Sequence, residues 1–449
     1  PEADQFVAVQ VFQPRYGRTA LTNAPDLAVP AIFHRRGSST LGMEKASFFV
    51  ETRDEFGNDR HVSIAGLPSE SDWVLYAPNW FEPVLVHNPT AYELSRQLGQ
   101  YAPRTRFVEV YLKDDGGTPG DVTFSDYNGI YVLEEKIKLG GHRVDIDELK
   151  PENVTPPSVT GGYLMSIDRS AAGTSPLNAG NAWFNALDPD YFEIQPTQRA
   201  YLEGYINSFY SALTGPKWTD PTLGYAPYID IPAWLDHHIV NVVTFNVDGL
   251  RLSGYFHKRR NGPLVMGPVW DFDRTQGSQD GRDFNPRLWR STVSDRGTDF
   301  FNADPIFNNP WYSLLFTDLE FWQKWIDRYQ DLRRSVLSNT NLAAIIDGFA
   351  DQVRAAQPRE VSRWGVGPRN GTASSAGFSY NFPGTYQGEV DFMKRWYSNR
   401  CDFIDTNFVR PPVFGVAAGR VPAGTRVPIT GDPAGRIYYT LDGSDPRLA

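Results

Sequence analysis

Along the first third of the chain, apolar and polar positions interchange over short distances. Ala31–Phe33, Ala46–Glu51, Trp73–Tyr76, Phe107–Leu112 and Ile130–Leu133 carry β-branched and aromatic residues between Gly, Pro and Asn breaks, which predicts the strands of a sheet. One helix interrupts them: Asn88 reads as its N-cap, Pro89 as its first turn, Ala91, Leu94 and Leu98 as one apolar side, and Gly99 as its stop. From about Pro151 helices dominate. Over Pro232–Phe245, Leu235, Ile239, Val242 and Val243 fall at i, i+4, i+7 and i+8, a buried helical face. A second helix runs from about Glu389 to Asn407, with Val390, Met393, Tyr397, Cys401, Ile404 and Phe408 in one stripe. Between the two, Gly365–Phe382 is rich in Gly, Ser and Asn without a period and predicts a long surface loop. The Pro411-Pro412 step marks a boundary, after which Val427–Ile429 and Arg436–Leu441 suggest short strands of another module. The expected class is α+β, divided into a strand-rich part (1–150), a helical part (151–410) and a small tail (411–449).

Composition narrows the classes. The 449 residues are 41% apolar and 21% charged, ordinary for a folded domain rather than a disordered or fibrous chain. A net charge of -10 argues against nucleic acid or acidic membrane surfaces as partners, because both are held by basic patches that displace counterions. No run approaches the ~18 apolar residues of a membrane span. Cys401 stands alone, so neither an intramolecular disulfide nor a cysteine metal cluster is available; its place within a helical apolar stripe reads as a packed thiol. The chain opens on Pro1 and is expected to be an excised or processed fragment, for which a missing leader carries no information.

The densest chemistry lies in Phe245-Asn246-Val247-Asp248-Gly249-Leu250-Arg251-Leu252-Ser253, followed by an expected hairpin of Tyr255–Lys258 with Leu264–Val269, and then Trp270-Asp271-Phe272-Asp273. Phosphoryl transfer needs a carboxylate that accepts the proton of the acceptor hydroxyl, and further oxygens for the cations that neutralise phosphate. Asp248 suits the first role, and Asp271 and Asp273 the second. In protein kinases a metal-binding Asn follows the catalytic Asp by five residues; here that position is Ser253. The same strings also serve as turns and caps in proteins without this chemistry.

The segments "SDWVLYAP", "AYELSRQLG", "YAPRTRFVEVYL", "GIYVLEEKI", "GGYLMSIDR", "NVDGLRLSGYFHK", "GPVWDFDRTQG" and "DFMKRWYSNRCDFID" resemble, in order, the CotH kinase-like family of spore-coat and extracellular proteins, from about Phe33 to Phe408. The resemblance implies a divergent two-lobed protein-kinase fold, use of ATP with Mg²⁺ or Mn²⁺, and phosphorylation of Ser or Thr in secreted or surface proteins. Under it Asp248 is the catalytic base, and Asp271 and Asp273 stand in the metal-binding motif. Lys45, after a Gly-Ser-Ser turn, is expected to meet the nucleotide phosphates, held by Glu134 or Glu135 as the kinase lysine is held by its glutamate. The tail "GRIYYTLDGSDPR" resembles a truncated chitobiase C-terminal β-sandwich module, which favours an exported location.

Several positions depart from the family pattern. Ser253 replaces a frequent Asn, His87 replaces a frequent Arg, Lys113–Asn128 is longer than the usual hairpin, and no G-x-G-x-x-G covers the phosphates. Ser253 and His87 motivate the alternative reading, a catalytically inactive kinase-like binding module. A metal-dependent hydrolase using the same aspartates is a third. His237 and His238 are adjacent, so they read as surface or satisfied core groups rather than a metal pair. Trp270 and Phe272 read as packing groups, Asp168-Arg169 as a strand-end ion pair in preference to part of the site, and Asn153 and Asn370 as sequons relevant only to a eukaryotic secretory route.

Overall fold

A computed structural model describes residues 3–446 apart from 16, 115–119, 171–172, 291–310 and 434; part of the expected long Lys113–Asn128 stretch therefore lies outside the described residues. Strands β1 (Gln5–Val11), β2 (Leu27–Arg36), β3 (Ser47–Thr52) and β4 (Asp72–Tyr76) lead into helix α1 (His87–Gln97), then β5 (Thr105–Tyr111) and β6 (Tyr127–Glu135). The six strands form one antiparallel sheet in the order β1-β2-β3-β4-β6-β5. Because side chains alternate across a strand, register decides which residues share a face. Arg36 pairs with Ser47, His34 with Phe49, Phe49 with Val74 and Val74 with Glu134, so these lie on one face. On the other, Val50, Trp73 and Leu133 pack with Val62, Ile64 and Leu67.

Helix α1 begins on His87 with Val86 as N-cap and no side-chain cap. Asn88, expected to be that cap, is committed elsewhere: its amide donates to Glu134 Oε1 at 3.1 Å and accepts from the Phe272 N–H at 2.7 Å. The open end of the helix is satisfied by Glu82, whose Oε1 accepts from the His87 N–H at 2.7 Å.

The region after Pro151 holds more strand than its pattern predicts. β7 (Tyr163–Ile167), β8 (Ser175–Ala179) and β9 (Ala182–Asp188) precede α2 (Pro196–Thr214) and α3 (Ile231–Val243), and β10 (Gly254–Lys258) with β11 (Leu264–Met266) forms the expected hairpin. These strands make a five-stranded sheet ordered β11-β10-β7-β9-β8. All five residues of β7 are buried, so no alternation marks it in the sequence. The helices α4 (Trp311–Leu315), α5 (Leu319–Arg333), α6 (Asn339–Val353), α7 (Gln357–Trp364) and α8 (Tyr386–Thr406) complete the region. Trp234 and Trp311 sit at the centre of its core, edge-on to Phe209. Within α8, Arg400 is fully buried and donates to the carbonyls of Val242 at 2.7 Å and Pro286 at 3.0 Å, pinning the end of α3. Its neighbour Cys401 is likewise buried, and burial lifts its thiol to about 12. A thiol held protonated in this way is an inert packing group.

The expected loop Gly365–Phe382 contains a hairpin, β12 (Asn370–Ser375) with β13 (Phe378–Pro383), turning at Ala376 and Gly377, both with positive φ (47° and 82°). Phe378 and Phe382 are buried against Phe284 and Phe392. The polar facing strand, built of residues with poor strand preference, hid the alternation. Beyond residue 411 the described chain pairs only as β14 (Val413–Phe414) with β15 (Ile429–Thr430). Arg436–Leu441 forms no strand, and Tyr438 and Leu441 are 69% and 95% exposed.

Candidate functional site

The segment after α3 is held by alternate anchors. Phe245, Val247, Leu250 and Leu252 are buried. Asn246 folds back so that its Oδ1 accepts from the N–H groups of Asp248 (3.1 Å) and Gly249 (2.9 Å), an Asx turn that orients Asp248. Gly249 admits no side chain, because a Cβ there would lie 2.1 Å from Asn241 Oδ1. Asp248, 23% exposed at its side chain, accepts from Arg251 Nη2 at 2.6 Å, and Arg282 lies 3.9 Å away. Phe245, Leu250, Ser253 and Asp271 all take positive φ (52°, 67°, 52° and 66°), a concentration of backbone strain typical of sites where geometry outranks local preference.

Residues 271–273 are clamped to α1. Asn88 holds the Phe272 N–H, Tyr92 Oη accepts from the Asp271 N–H at 3.3 Å, and His87 Nδ1 lies 3.1 Å from the Asp273 carbonyl. His87 is 2% exposed, and burial depresses it to about 3, so a neutral ring donates to that carbonyl. His87, which departs from the family pattern, is a structural clamp. Phe272 is fully buried. Trp270 stacks on Tyr92 at 5.9 Å and meets the Arg36 guanidinium 5.3 Å from the ring centroid.

Ser253 Oγ stands 3.0 Å from Asp271 Oδ2 and 3.4 Å from Asp168 Oδ2. Asp168, expected in a strand-end ion pair, is thus joined to the aspartate loop; its other oxygen accepts from the Arg169 N–H at 2.7 Å. Its only sequence signal is an acidic residue at the end of "GGYLMSIDR". Burial, followed by repulsion from Asp248, raises Asp271 to about 6, and Asp168 adds to the effect. Asp273, 7% exposed, is pushed up by burial and then by Asp271. The structure therefore draws Asp248, Asp271, Asp168 and Ser253 into one electrostatic group. Asp273 borders it on the side of Glu82, itself raised to about 8 by burial. Among the described residues no three His, Cys, Asp or Glu side chains converge as a ready-made metal cage. Mg²⁺ seldom uses such a cage: one or two carboxylates with phosphate and water oxygens are its usual set. Asp271 with Asp168, joined through Ser253, fits that description.

The expected lysine–glutamate pair is not formed. Lys45 Nζ contacts Glu360 Oε1 at 2.6 Å and the Pro78 carbonyl at 2.9 Å, and burial lowers its pKa. It borders a cavity of about 240 Å³ that Trp80, Glu82 and Trp364 also line. Glu134 and Glu135 part company at the strand. Glu134 lies on the face turned to Trp270, while Glu135 faces away and binds Arg104 (2.7 Å), Arg143 and Tyr101. His237 and His238 are buried, the latter accepting from Trp325 Nε1 at 3.1 Å.

No curated protein matches the chain. The family model described as CotH kinase protein matches residues 33–404, a span that contains every strained and acidic position just described, and the chain belongs to that family.

Proposed function

We propose that the protein is an extracytoplasmic atypical kinase that transfers the γ-phosphoryl group of ATP to Ser or Thr hydroxyls of secreted or surface proteins. The observation that carries this reading is the coupling of Asp248, Asp271 and Asp168 around Ser253, carboxylates brought together from three separate segments at a cost that a bound cation would offset. The N-terminal sheet with α1 corresponds to the kinase N-lobe and the region from β7 onward to the C-lobe, with residues 411–449 as a separate appendage. Asp271 would be the main holder of Mg²⁺ or Mn²⁺ and Asp168 its companion; such a cation neutralises the phosphate oxygens. Asp248 accepts the proton of the acceptor hydroxyl as its oxygen bonds to the γ-phosphorus and the bond to the β-phosphate oxygen breaks. Ser253 donates its hydroxyl proton to Asp271 and stands beside Asp168. Export is supported by the family resemblance and by the tail's likeness to a module of secreted enzymes.

The test is incubation with Mg²⁺ or Mn²⁺ and ATP labelled on the γ- or the α-phosphate. Label from the γ position alone should appear on the chain or a partner protein and fall roughly 100-fold or more in Asp248→Asn and Asp271→Asn. Equal labelling by these variants overturns the roles, and label from the α position replaces phosphoryl with nucleotidyl transfer. A second reading, a kinase-like binding module without turnover, is favoured by the Asp248–Arg251 ion pair at 2.6 Å, which competes for the same oxygen that would take the proton. Calorimetry that detects no nucleotide binding at millimolar Mg-ATP selects it.

A further inference from the structure

In the reading above, the nucleotide needs a cation for its phosphates. Lys45 is poorly suited: it is 5% exposed, and both Glu360 and a backbone carbonyl already occupy its ammonium group. Arg36 differs in each respect. It is the last residue of β2, half-buried at the rim of the sheet. Strand register sets it on the face that carries Val74, Tyr76, Val132 and Glu134, the face that Trp270 covers. Among the described residues it forms no ion pair. Its guanidinium instead rests 5.3 Å from the centroid of the Trp270 ring, one residue from Asp271.

The surroundings point the same way. Arg36 is near enough to Asp271, Glu134, Tyr92 and Tyr255 to act on all four electrostatically. Glu134 keeps one buried oxygen unpartnered on that side. The turn that follows is tight: Gly37 has φ +130°, and a Cβ there would meet Thr40 Oγ1 at 2.5 Å. The same turn reaches the second region, where Arg169 Nη1 lies 3.4 Å from Ser38 Oγ, next to Asp168. The β2–β3 connection thus overhangs the aspartates, where a glycine-rich loop would lie in an ordinary kinase.

We propose that Arg36, not Lys45, is the side chain that binds the nucleotide's phosphates, with the Gly37–Thr40 turn closing over them. The proposal rests on the kinase reading. A planar guanidinium stacked on an aromatic ring is already oriented, so two parallel donors are available to phosphate oxygens without a large ordering cost. Trp270 is then the platform that aims the cation.

The test is calorimetric binding of Mg-ATP, Mg-ADP and adenosine to the full chain and to Arg36→Gln, Arg36→Lys and Lys45→Gln. Arg36→Gln should weaken Mg-ATP roughly 10- to 100-fold while leaving adenosine within about 2-fold. Arg36→Lys should fall between, because it keeps the charge and loses the fork. Lys45→Gln, if folded by circular dichroism, should affect ATP and adenosine alike. The proposal is overturned if Arg36→Gln binds Mg-ATP like the parent, if it loses ATP and adenosine equally, or if only Lys45→Gln shows a triphosphate-specific loss. Failure of the parent chain itself to bind any nucleotide removes the kinase reading, and this proposal with it; the other outcomes leave that reading standing.

Discussion

Glu134 and Glu135 are consecutive, wholly buried, and opposite in character. Glu135 meets two guanidiniums and a tyrosine hydroxyl on the outer face of the N-terminal sheet, where Arg143 also covers the Trp73 ring. Glu134, on the inner face, has one amide contact and an oxygen with no partner, and burial raises it to about 8. A buried carboxylate surrounded by cations is a structural fastening. One left half-satisfied is tolerated only where something else takes up the deficit, and such positions gather at functional sites. The single peptide step between the two separates the part of the sheet that holds the fold from the part turned toward chemistry.

The comparison breaks most visibly at the outer face. Glu135→Ala should destabilise the protein by about 3–5 kcal/mol, since it strands Arg143, 1% exposed at its side chain; urea unfolding measures this, and a loss below ~1 kcal/mol would mean that Arg143 finds water instead. Smaller than that, and on the inner face, Asn88→Ala should cost about 2 kcal/mol by orphaning the Phe272 N–H and Glu134 Oε1 together. It should also weaken Mg-ATP binding, because the 271–273 segment loses its tie to α1 at Phe272 while Tyr92 and His87 still hold its two ends; unchanged nucleotide affinity would uncouple that tie from the site.

A third effect is on pH dependence. Glu82 and Glu134, raised from 4.5 to about 8, bind protons in the native state that the unfolded chain has released. Between those pH values stability must therefore fall as pH rises, by at most about 1.4 kcal/mol per pH unit for each carboxyl. Glu134→Gln should flatten the decline measured from pH 6 to 8 without lowering stability at pH 6. An unaltered slope would show that Glu134 is ionised and paired in solution.

The parts legible in the sequence are those governed by local pattern. The 3.6-residue stripes of α3 and α8, the β10–β11 hairpin and the acidic positions flanking it follow from neighbours a few residues apart. What escaped depends on distant partners. Lys45 meets Glu360 from 315 positions away, and nothing in the spacing around Lys45 or Glu134 forecasts that choice over a pairing of the two. Asn88 carries the signature of a helix cap, yet tertiary contacts with β6 and the aspartate loop outcompete the cap. Asp168 reads in the sequence as an ion-pair partner before a site residue, and it meets Ser253 because β7 pairs with β10, a register invisible in a strand buried from end to end. Arg36 drew no notice because a strand-end arginine is ordinary until its ring partner is known.

Helix α7 has a mechanical consequence. Glu360 grips Lys45 and the Ile130 N–H, Arg359 pairs with Glu109, and Trp364 Nε1 donates to the Asn128 carbonyl at 3.1 Å. The Arg359, Trp364 and Ile130 ties reach β5 and the start of β6, whereas the Lys45 tie reaches the β2–β3 connection itself, two residues before Ser47, the strand partner of Arg36. Helix α7 thus anchors at once the far edge of the sheet and the returning end of the loop that begins at Arg36, so a displacement of α7 would be transmitted to residues 37–40.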